Sequence, residues 1–215
     1  MNNAAAHWVP LNRILGRLHQ IGCASVVPCL FRRLRYWLLS RRYGFPRWHV
    51  GAPFACRPYK AEVVRLANEL RPRVTVEVGC GLGEILSRVS GEERLGFDPD
   101  ASVVAAARHL YGRKCEFSVA SVSETHRISS AIGRAVDVLI MVNWPHGIAW
   151  NELRGHVLRL TEVLSIGHII VDTIDPGIDG YPYHHSPAEI ATLGKSVSTH
   201  RSRDGVRHIH VVTVT

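Results

Sequence analysis

From residue 74 onward, short apolar runs alternate with stretches whose apolar residues recur every third or fourth position. Val74–Val78, Leu95–Phe97, Cys115–Val119, Val136–Val142 and His168–Val171 read as strands. Val136–Val142 is apolar apart from Asp137, as expected of a strand covered on both faces. Helical spacing marks a segment from the glycines at 79–83 to about Val89, then Ala101–Leu110 and about 149–164. The chain closes on Ser196–Arg201 and Arg207–Val214 around Arg203-Asp204-Gly205, a hairpin, because Asp-Gly accepts the positive φ of a tight turn. Repeated strand–helix units build an α/β, doubly wound, mostly parallel sheet, here of seven strands with a C-terminal antiparallel hairpin. Upstream, Leu11, Ile14, Leu15, Leu18 and Ile21 form one apolar helical stripe, and Leu30, Phe31, Leu34, Trp37 and Leu38 form another over about 29–42. Their regularity predicts packing, Trp37 included. Tyr43 to Tyr59, "YGFPRWHVGAPFACRPY", is a Pro/Gly-punctuated connector, aromatic-rich for a linker, and helical spacing resumes over Ala61–Leu70. Residues 1–57 are thus a helical extension with its connector, and 58–215 the α/β domain.

Charge divides along the same boundary. Residues 1–61 hold ten Lys/Arg and no Asp/Glu; the remainder holds 16 basic against 18 acidic residues. The net charge of +8 therefore belongs to the N-terminal segment, and arguments about partners concern that segment alone. Its most apolar run, Ile21–Phe31, contains Pro28 and is well short of the roughly twenty residues a bilayer span needs. Deep-set Arg13 and Arg17 suit a retained basic arm better than an export signal. Cys23, Cys29, Cys56, Cys80 and Cys115 are odd in number and lack Cys-x-x-Cys spacing. That argues against a disulfide framework or zinc knuckle and for a reducing, cytoplasmic setting.

Chemistry concentrates in "VEVGCGLGEIL", Val76–Leu86. Gly79, Gly81 and Gly83 follow the first strand, but their spacing misses G-x-G-x-x-G by one position, and no G-x-x-x-x-G-K-[ST] is present. Glu77 and Glu84 bracket the turn with negative charge, which opposes a pyrophosphate and suits a ligand bearing an ammonium and a sulfonium, as S-adenosylmethionine does. "LGFDPD" ends the second strand on Asp98, where a carboxylate can accept from both ribose hydroxyls. With "VEVGCGLG", "GFDPD" and "VDVLIMVNW", residues 57–215 resemble the class I S-adenosylmethionine-dependent methyltransferases. The resemblance implies that Gly79, Cys80, Gly81 and Gly83 line the methionine portion, that Glu77 orients its amino group and that Asp98 binds ribose. It also places Ser121 where the family often has an acid contacting adenine, and Asn143 at the same pocket. More loosely, "YGFPRWHV" and "RPYKAEVV" ahead of the glycine run look like methyltransferase-like proteins encoded with polysaccharide biosynthesis.

Methyl transfer to a hydroxyl needs alignment, exclusion of water and a base. Residues after the fourth and fifth strands should supply these: His146 in "NWPHGIAW" is the preferred base and His185 in "DTIDPGIDGYPYHHS" the second. Trp144 is a candidate for stacking on the acceptor or adenine. Asp172, Asp175 and Asn143 offer an oxygen-ligand set, but no signature enforces it and no metal is expected. The acceptor expected is a small molecule or saccharide methylated on oxygen, the alternatives being a non-catalytic scaffold that binds the same cofactor, or an RNA methyltransferase. Three roles suit the basic arm: a helical cap on the pocket or a sheet edge, a peripheral membrane contact through residues 10–42, or RNA binding. The cap is preferred; nucleic acid ranks last, since no RNA module is visible. The sequence carries no signal for oligomeric state.

Overall fold

The strand-forming segments assemble into one sheet. A computed structural model describes residues 23–214; the stripe expected over 10–21 lies outside the described residues. The elements run α1 (Cys23–Tyr43), α2 (Pro58–Glu69), β1 (Val74–Val78), β2 (Glu93–Asp98), α3 (Ala101–Tyr111), β3 (Glu116–Val119), α4 (Thr125–Ile132) and β4 (Val136–Met141). They continue through α5 (Trp150–Val163), β5 (Ile166–Ile174), α6 (Pro187–Ala191), β6 (Ser196–Arg201) and β7 (Arg207–Thr213). Sheet order is β3-β2-β1-β4-β5-β7-β6. The first five strands are parallel; β7 runs against β5, and β6 against β7.

This order reverses between β1 and β4. The chain winds outward through β2 and β3, then returns to β4, so the loops leaving β1 and β4 diverge and open a crevice at the strands' carboxyl ends. Both faces of the sheet are covered. Tyr59, Val63, Leu66 and Ala67 of α2 meet Val138 and Ile140 on one face. On the other, Leu153, Val157 and Leu160 of α5 and Ile128 and Ile132 of α4 meet Val76, Leu139 and Met141. Burial on both sides is why β4 reads as an apolar run broken only by Asp137.

The helix expected after the glycines does not form. Residues 79–90 make turns and one short 3-10 helix, Leu86–Arg88. The Leu86 amide donates to the Glu77 carboxylate (3.1 Å) in place of a carbonyl one turn back, and three left-handed glycines preclude helical φ at 79, 81 and 83. Sequence periodicity also missed α4 and α6, the latter opened by a capping box of Ser186 and Glu189.

Two expectations about α1 are corrected. Its packed face is Cys29, Tyr36 and Leu39, the latter two set against Phe45, Leu82, Val103 and Ala106, while Leu30, Phe31, Leu34, Trp37 and Leu38 point outward. A stripe half a turn from the expected one does the packing because Tyr36 finds a buried hydrogen-bond acceptor. Moreover, Cys29 and Cys56 form a disulfide between α1 and the connector, with Cα atoms 5.6 Å apart, while Cys80 and Cys115 remain free and buried. Count and spacing could not show that a helix and a loop 27 residues apart would meet. The inference to a reducing compartment loses its basis with that bond.

Candidate functional site

At the β1/β4 crevice lies a cavity of about 550 Å³, a size suited to a nucleoside-type ligand. Its floor is the turn after β1. Gly79 (φ 71°) and Gly81 (φ 52°) sit in the left-handed region, which lets the backbone fold tightly beneath the cavity. The amides of Gly79 and Cys80 both donate to the Phe97 carbonyl, at 2.7 and 2.9 Å, and pin the turn to the end of β2. A Cβ on Gly79 would overlap the Trp144 ring, whose Nε1 donates to the Val78 carbonyl at 2.6 Å. Gly83 differs: it does not line the cavity, and its missing Cβ makes room for the Phe117 ring.

Two buried carboxylates flank the turn. Glu77 is 3% exposed, lines the cavity, and is pushed up to about 8 by burial, which outweighs the hydrogen bond from Leu86 and the charge of Lys60. Asp98 ends β2 and is also raised by burial, against hydrogen bonds from the amides of Asp100 and Gly81, each at 3.0 Å. Each acid therefore stands at the cavity without a cationic partner of its own. Glu84 does not. Burial pushes its pKa up, but Lys60 (2.7 Å), the Tyr36 hydroxyl (2.5 Å) and the Phe54 amide (2.9 Å) together hold it low. Of the two acids that bracket the turn, Glu84 also lines the cavity but is committed to Lys60, Tyr36 and Phe54, tying α1, the connector and α2 to the glycine turn, and Glu77 alone is left without an ion-pair partner.

The roof comes from the connector, none of whose residues was named as a candidate site residue, although a cap on the pocket or a sheet edge was the preferred role of the N-terminal segment. Pro46, Trp48, His49 and Ala52 line the cavity, and the His49 ring stacks on Trp48 with centroids 3.5 Å apart. Burial, with Lys60 adding to it, lowers His49 to about 4, so the ring is neutral at physiological pH. The signal was present in the unusual aromatic content of Tyr43–Tyr59. Ser121 also lines the wall; its hydroxyl accepts from that of Ser123 at 3.1 Å.

Beyond β4 the chain turns at Asn143, a non-glycine residue at φ 73°. Asn tolerates this better than most residues, and two partners hold it there. Its amide donates to Asp172 Oδ1 at 2.8 Å, and its side-chain oxygen accepts from Arg207 at 3.3 Å. Behind it is a buried ionic cluster. Arg207 pairs with Asp172, donates to the Tyr181 hydroxyl at 3.0 Å, and has the Tyr59 ring 4.2 Å from its guanidinium. Burial pulls Arg207 down to about 10, still charged at neutral pH, and Asp172 supplies the counter-charge.

His146 belongs to this cluster, not to the cavity wall. It is 1% exposed, 3.3 Å from Asp172, without a hydrogen-bond partner at either ring nitrogen, and burial, seconded by Arg207, lowers it to about 4. His185 is 4% exposed and bonded through Nε2 to the Pro145 carbonyl at 2.9 Å. The crevice brings Glu77, Gly79, Cys80, Gly81, Asp98, Ser121 and Asn143 together around one space and leaves Gly83, His146 and His185 behind its walls. Among the described residues no group of three His, Cys, Asp or Glu side chains is placed to hold a metal ion. Asp172 is engaged by Arg207, and Asp175 by His208 at 2.9 Å.

No protein-family model matches the chain, and no curated protein matches it in sequence. Solved structures do match in fold. Magnesium protoporphyrin IX methyltransferase (ChlM) from Synechocystis PCC 6803 with bound SAH aligns at TM-score 0.60 and 14% identity, over 86% of this chain and 96% of that one. The N-methyltransferase NodS from Bradyrhizobium japonicum WM9, in complex with S-adenosyl-l-homocysteine, aligns at TM-score 0.61 and 12% identity over 83% and 97%. The methyltransferase domain of bacterial CtHen1-C aligns at 0.59 and 16% over 73% and 97%. This chain has the class I methyltransferase fold.

Proposed function

We propose that the protein is an S-adenosylmethionine-dependent methyltransferase acting on an oxygen of a small molecule or saccharide. The observation that carries this reading is the pair of buried acids at one cavity, Glu77 under the glycine turn and Asp98 at the end of β2, neither neutralised by a neighbouring cation. The cofactor fits these residues: a cationic methionine end would lie against Glu77 and the main chain of Gly79–Gly81, and ribose against Asp98. Bound there, it would supply an activated methyl group. The protein's own work is to hold the amino group, exclude water with the Trp48–His49 roof and present the acceptor beside Asn143 and Trp144. Arg57 lines the cavity and has no carboxylate partner among the described residues. It favours an acceptor carrying a carboxylate or phosphate, as acidic saccharides do. His146 as base requires the Asn143–Ile148 loop to shift; with that loop in place the ring is buried 3.3 Å from Asp172.

Titration calorimetry tests the reading. S-Adenosylmethionine and its demethylated product should bind, Asp98→Ala should weaken both by roughly tenfold or more, since hydrogen bonds to charged groups are worth about 1.5–3 kcal/mol, and NAD and ATP should give no heat. NAD or ATP binding in their place would end the proposal. Release of S-adenosylhomocysteine in the presence of an acceptor separates an enzyme from a non-catalytic scaffold.

The proton balance gives a sharper result. Glu77 keeps its proton to about 8 in the fold but loses it near 4.5 when unfolded. Its contribution to stability is therefore full below the unfolded value and lost as pH rises through about 8. An arriving ammonium should ionise it, so binding at neutral pH should release close to one proton. Calorimetry in two buffers of different ionisation enthalpy reads that proton directly, and Glu77→Gln should abolish it. Equal heats in both buffers would remove Glu77 from the amino-group role.

A further inference from the structure

Helix α1 exposes its more apolar face. Val27 (74%), Leu30 (59%), Phe31 (70%), Leu34 (56%), Trp37 (40%) and Leu38 (56%) are open to solvent, although Tyr36 and Leu39 on the opposite face are buried. At 100° per residue these six positions fall within one arc, running about 17 Å from Val27 to Leu38 at the helical rise. Six large apolar side chains in one stripe are not the scattered single residues of an ordinary surface. Exposed Arg35 and Arg42 border the stripe, and the Arg41 guanidinium lies 4.8 Å from the Trp37 ring centre. The helix contains no acidic residue, and none occurs anywhere in residues 1–61.

The composition selects the occupant. A protein partner or a second copy would bury the stripe equally well, but neither explains why arginine is the only charged residue type on this helix. A nucleic acid would use the arginines and leave Val27, Leu30, Phe31 and Leu34 without a partner. An anionic lipid surface uses both: the apolar arc enters the acyl boundary, and the flanking guanidiniums meet phosphate headgroups. No helix among the described residues is long and apolar enough to cross a membrane, so the contact is a helix lying in the interface. The disulfide from Cys29 to Cys56 and the Tyr36–Glu84 hydrogen bond fasten that helix to the catalytic-type domain, so docking α1 docks the whole fold.

We propose that the Val27–Leu38 face of α1 seats the protein on anionic membrane surfaces. The proposal is independent of the cavity's ligand. Flotation of the full chain with vesicles made of equal parts phosphatidylglycerol and phosphatidylcholine tests it. The chain should rise with these vesicles and do so about tenfold less with phosphatidylcholine alone or at high salt. Phe31→Glu with Leu34→Glu should reduce flotation to background while leaving the melting temperature unchanged, because both side chains are exposed; Leu30→Gln with Leu38→Gln provides a milder second pair. Failure of the full chain to float overturns the proposal, as does flotation that both pairs leave intact. A dimer in sedimentation that the same substitutions dissolve would assign the face to a second copy and likewise overturn it.

Discussion

Arg207→Leu is expected to lower the melting temperature by on the order of 10 °C, the largest stability effect among the polar residues of this chain. Breaking one side of a buried pair costs about 3–5 kcal/mol, because the other charge remains in the interior. For a domain of 150–250 residues each kcal/mol shifts the midpoint by roughly 2–4 °C. Asp172 is fully buried, so its carboxylate would be left with the Asn143 amide and a neutral His146. Asp172→Asn should cost less, because the charged Arg207, held between Tyr59 and Asn143, keeps the Asp204 carboxylate 3.6 Å from its Nε. The double variant Arg207→Leu/Asp172→Asn should recover part of the loss, since the fully buried position 172 no longer carries a charge and the asparagine oxygen can still accept from Asn143, although Asp204 loses Arg207 as well. Scanning calorimetry on the three variants and the unaltered protein closes the cycle. If each single change moves the midpoint by less than about 2 °C, the cluster is hydrated and does not brace the β4 and β5 loops as described.

That cluster also shows where sequence reading reached its limit. The parallel strands were legible because a strand covered on both faces admits only apolar residues, and Val136–Met141 has almost nothing else. The alternation of strand and helix implied a crevice at the strand ends, and the family that the motifs resemble implied Glu77, Gly79, Gly81, Asp98 and Asn143 at one site, where they do line one cavity. Inward and outward directions past the strand ends were not legible. His146 and His185 lie in the right loops, yet one turns toward Asp172 and the other toward the Pro145 carbonyl. Loops have no periodicity from which to read a direction. Gly83 fits the glycine pattern as well as its neighbours do; only the position of Phe117, thirty-four residues away, shows that it serves packing.

Local competition defeated two other expectations. Val76–Leu86 has helical spacing after its glycines, but Glu77 takes the Leu86 amide and the left-handed glycines break the backbone path, so no helix propagates. In α1 the stripe with the greater apolar content was expected to pack. The fold instead buries the face bearing one disulfide cysteine and one tyrosine, because a covalent bond and a buried hydrogen bond fix the helix's rotation more firmly than undirected apolar contact. Pattern reports how much apolar surface a helix has. It does not report which long-range partners will choose among its faces.

Gly79→Ala is expected to weaken S-adenosylhomocysteine binding by about 100-fold, whereas Gly133→Ala leaves it unchanged. Both glycines hold left-handed φ, 71° and 63°, so both substitutions incur the same backbone penalty of roughly 1–2 kcal/mol. They differ in what surrounds the added methyl. At Gly133, the last residue of the turn that ends α4, nothing lies within 4 Å. At Gly79 the methyl overlaps the Trp144 indole, whose Nε1 is tied to the Val78 carbonyl, the residue just before the glycine. The ring can yield only by giving up that bond and moving into the cavity it lines. Overpacking of this kind costs about 1–3 kcal/mol and the lost hydrogen bond about 1 more, and each 1.4 kcal/mol is tenfold in affinity. Trp144→Ala should therefore restore part of the binding lost in Gly79→Ala, because it removes the ring that the methyl displaces. Calorimetry on the two single alanine variants and the Gly79→Ala/Trp144→Ala pair separates backbone strain from steric exclusion. Equal losses at Gly79 and Gly133 would mean that the ligand space does not extend over the glycine turn, and the methionine end would have to be sought elsewhere in the crevice.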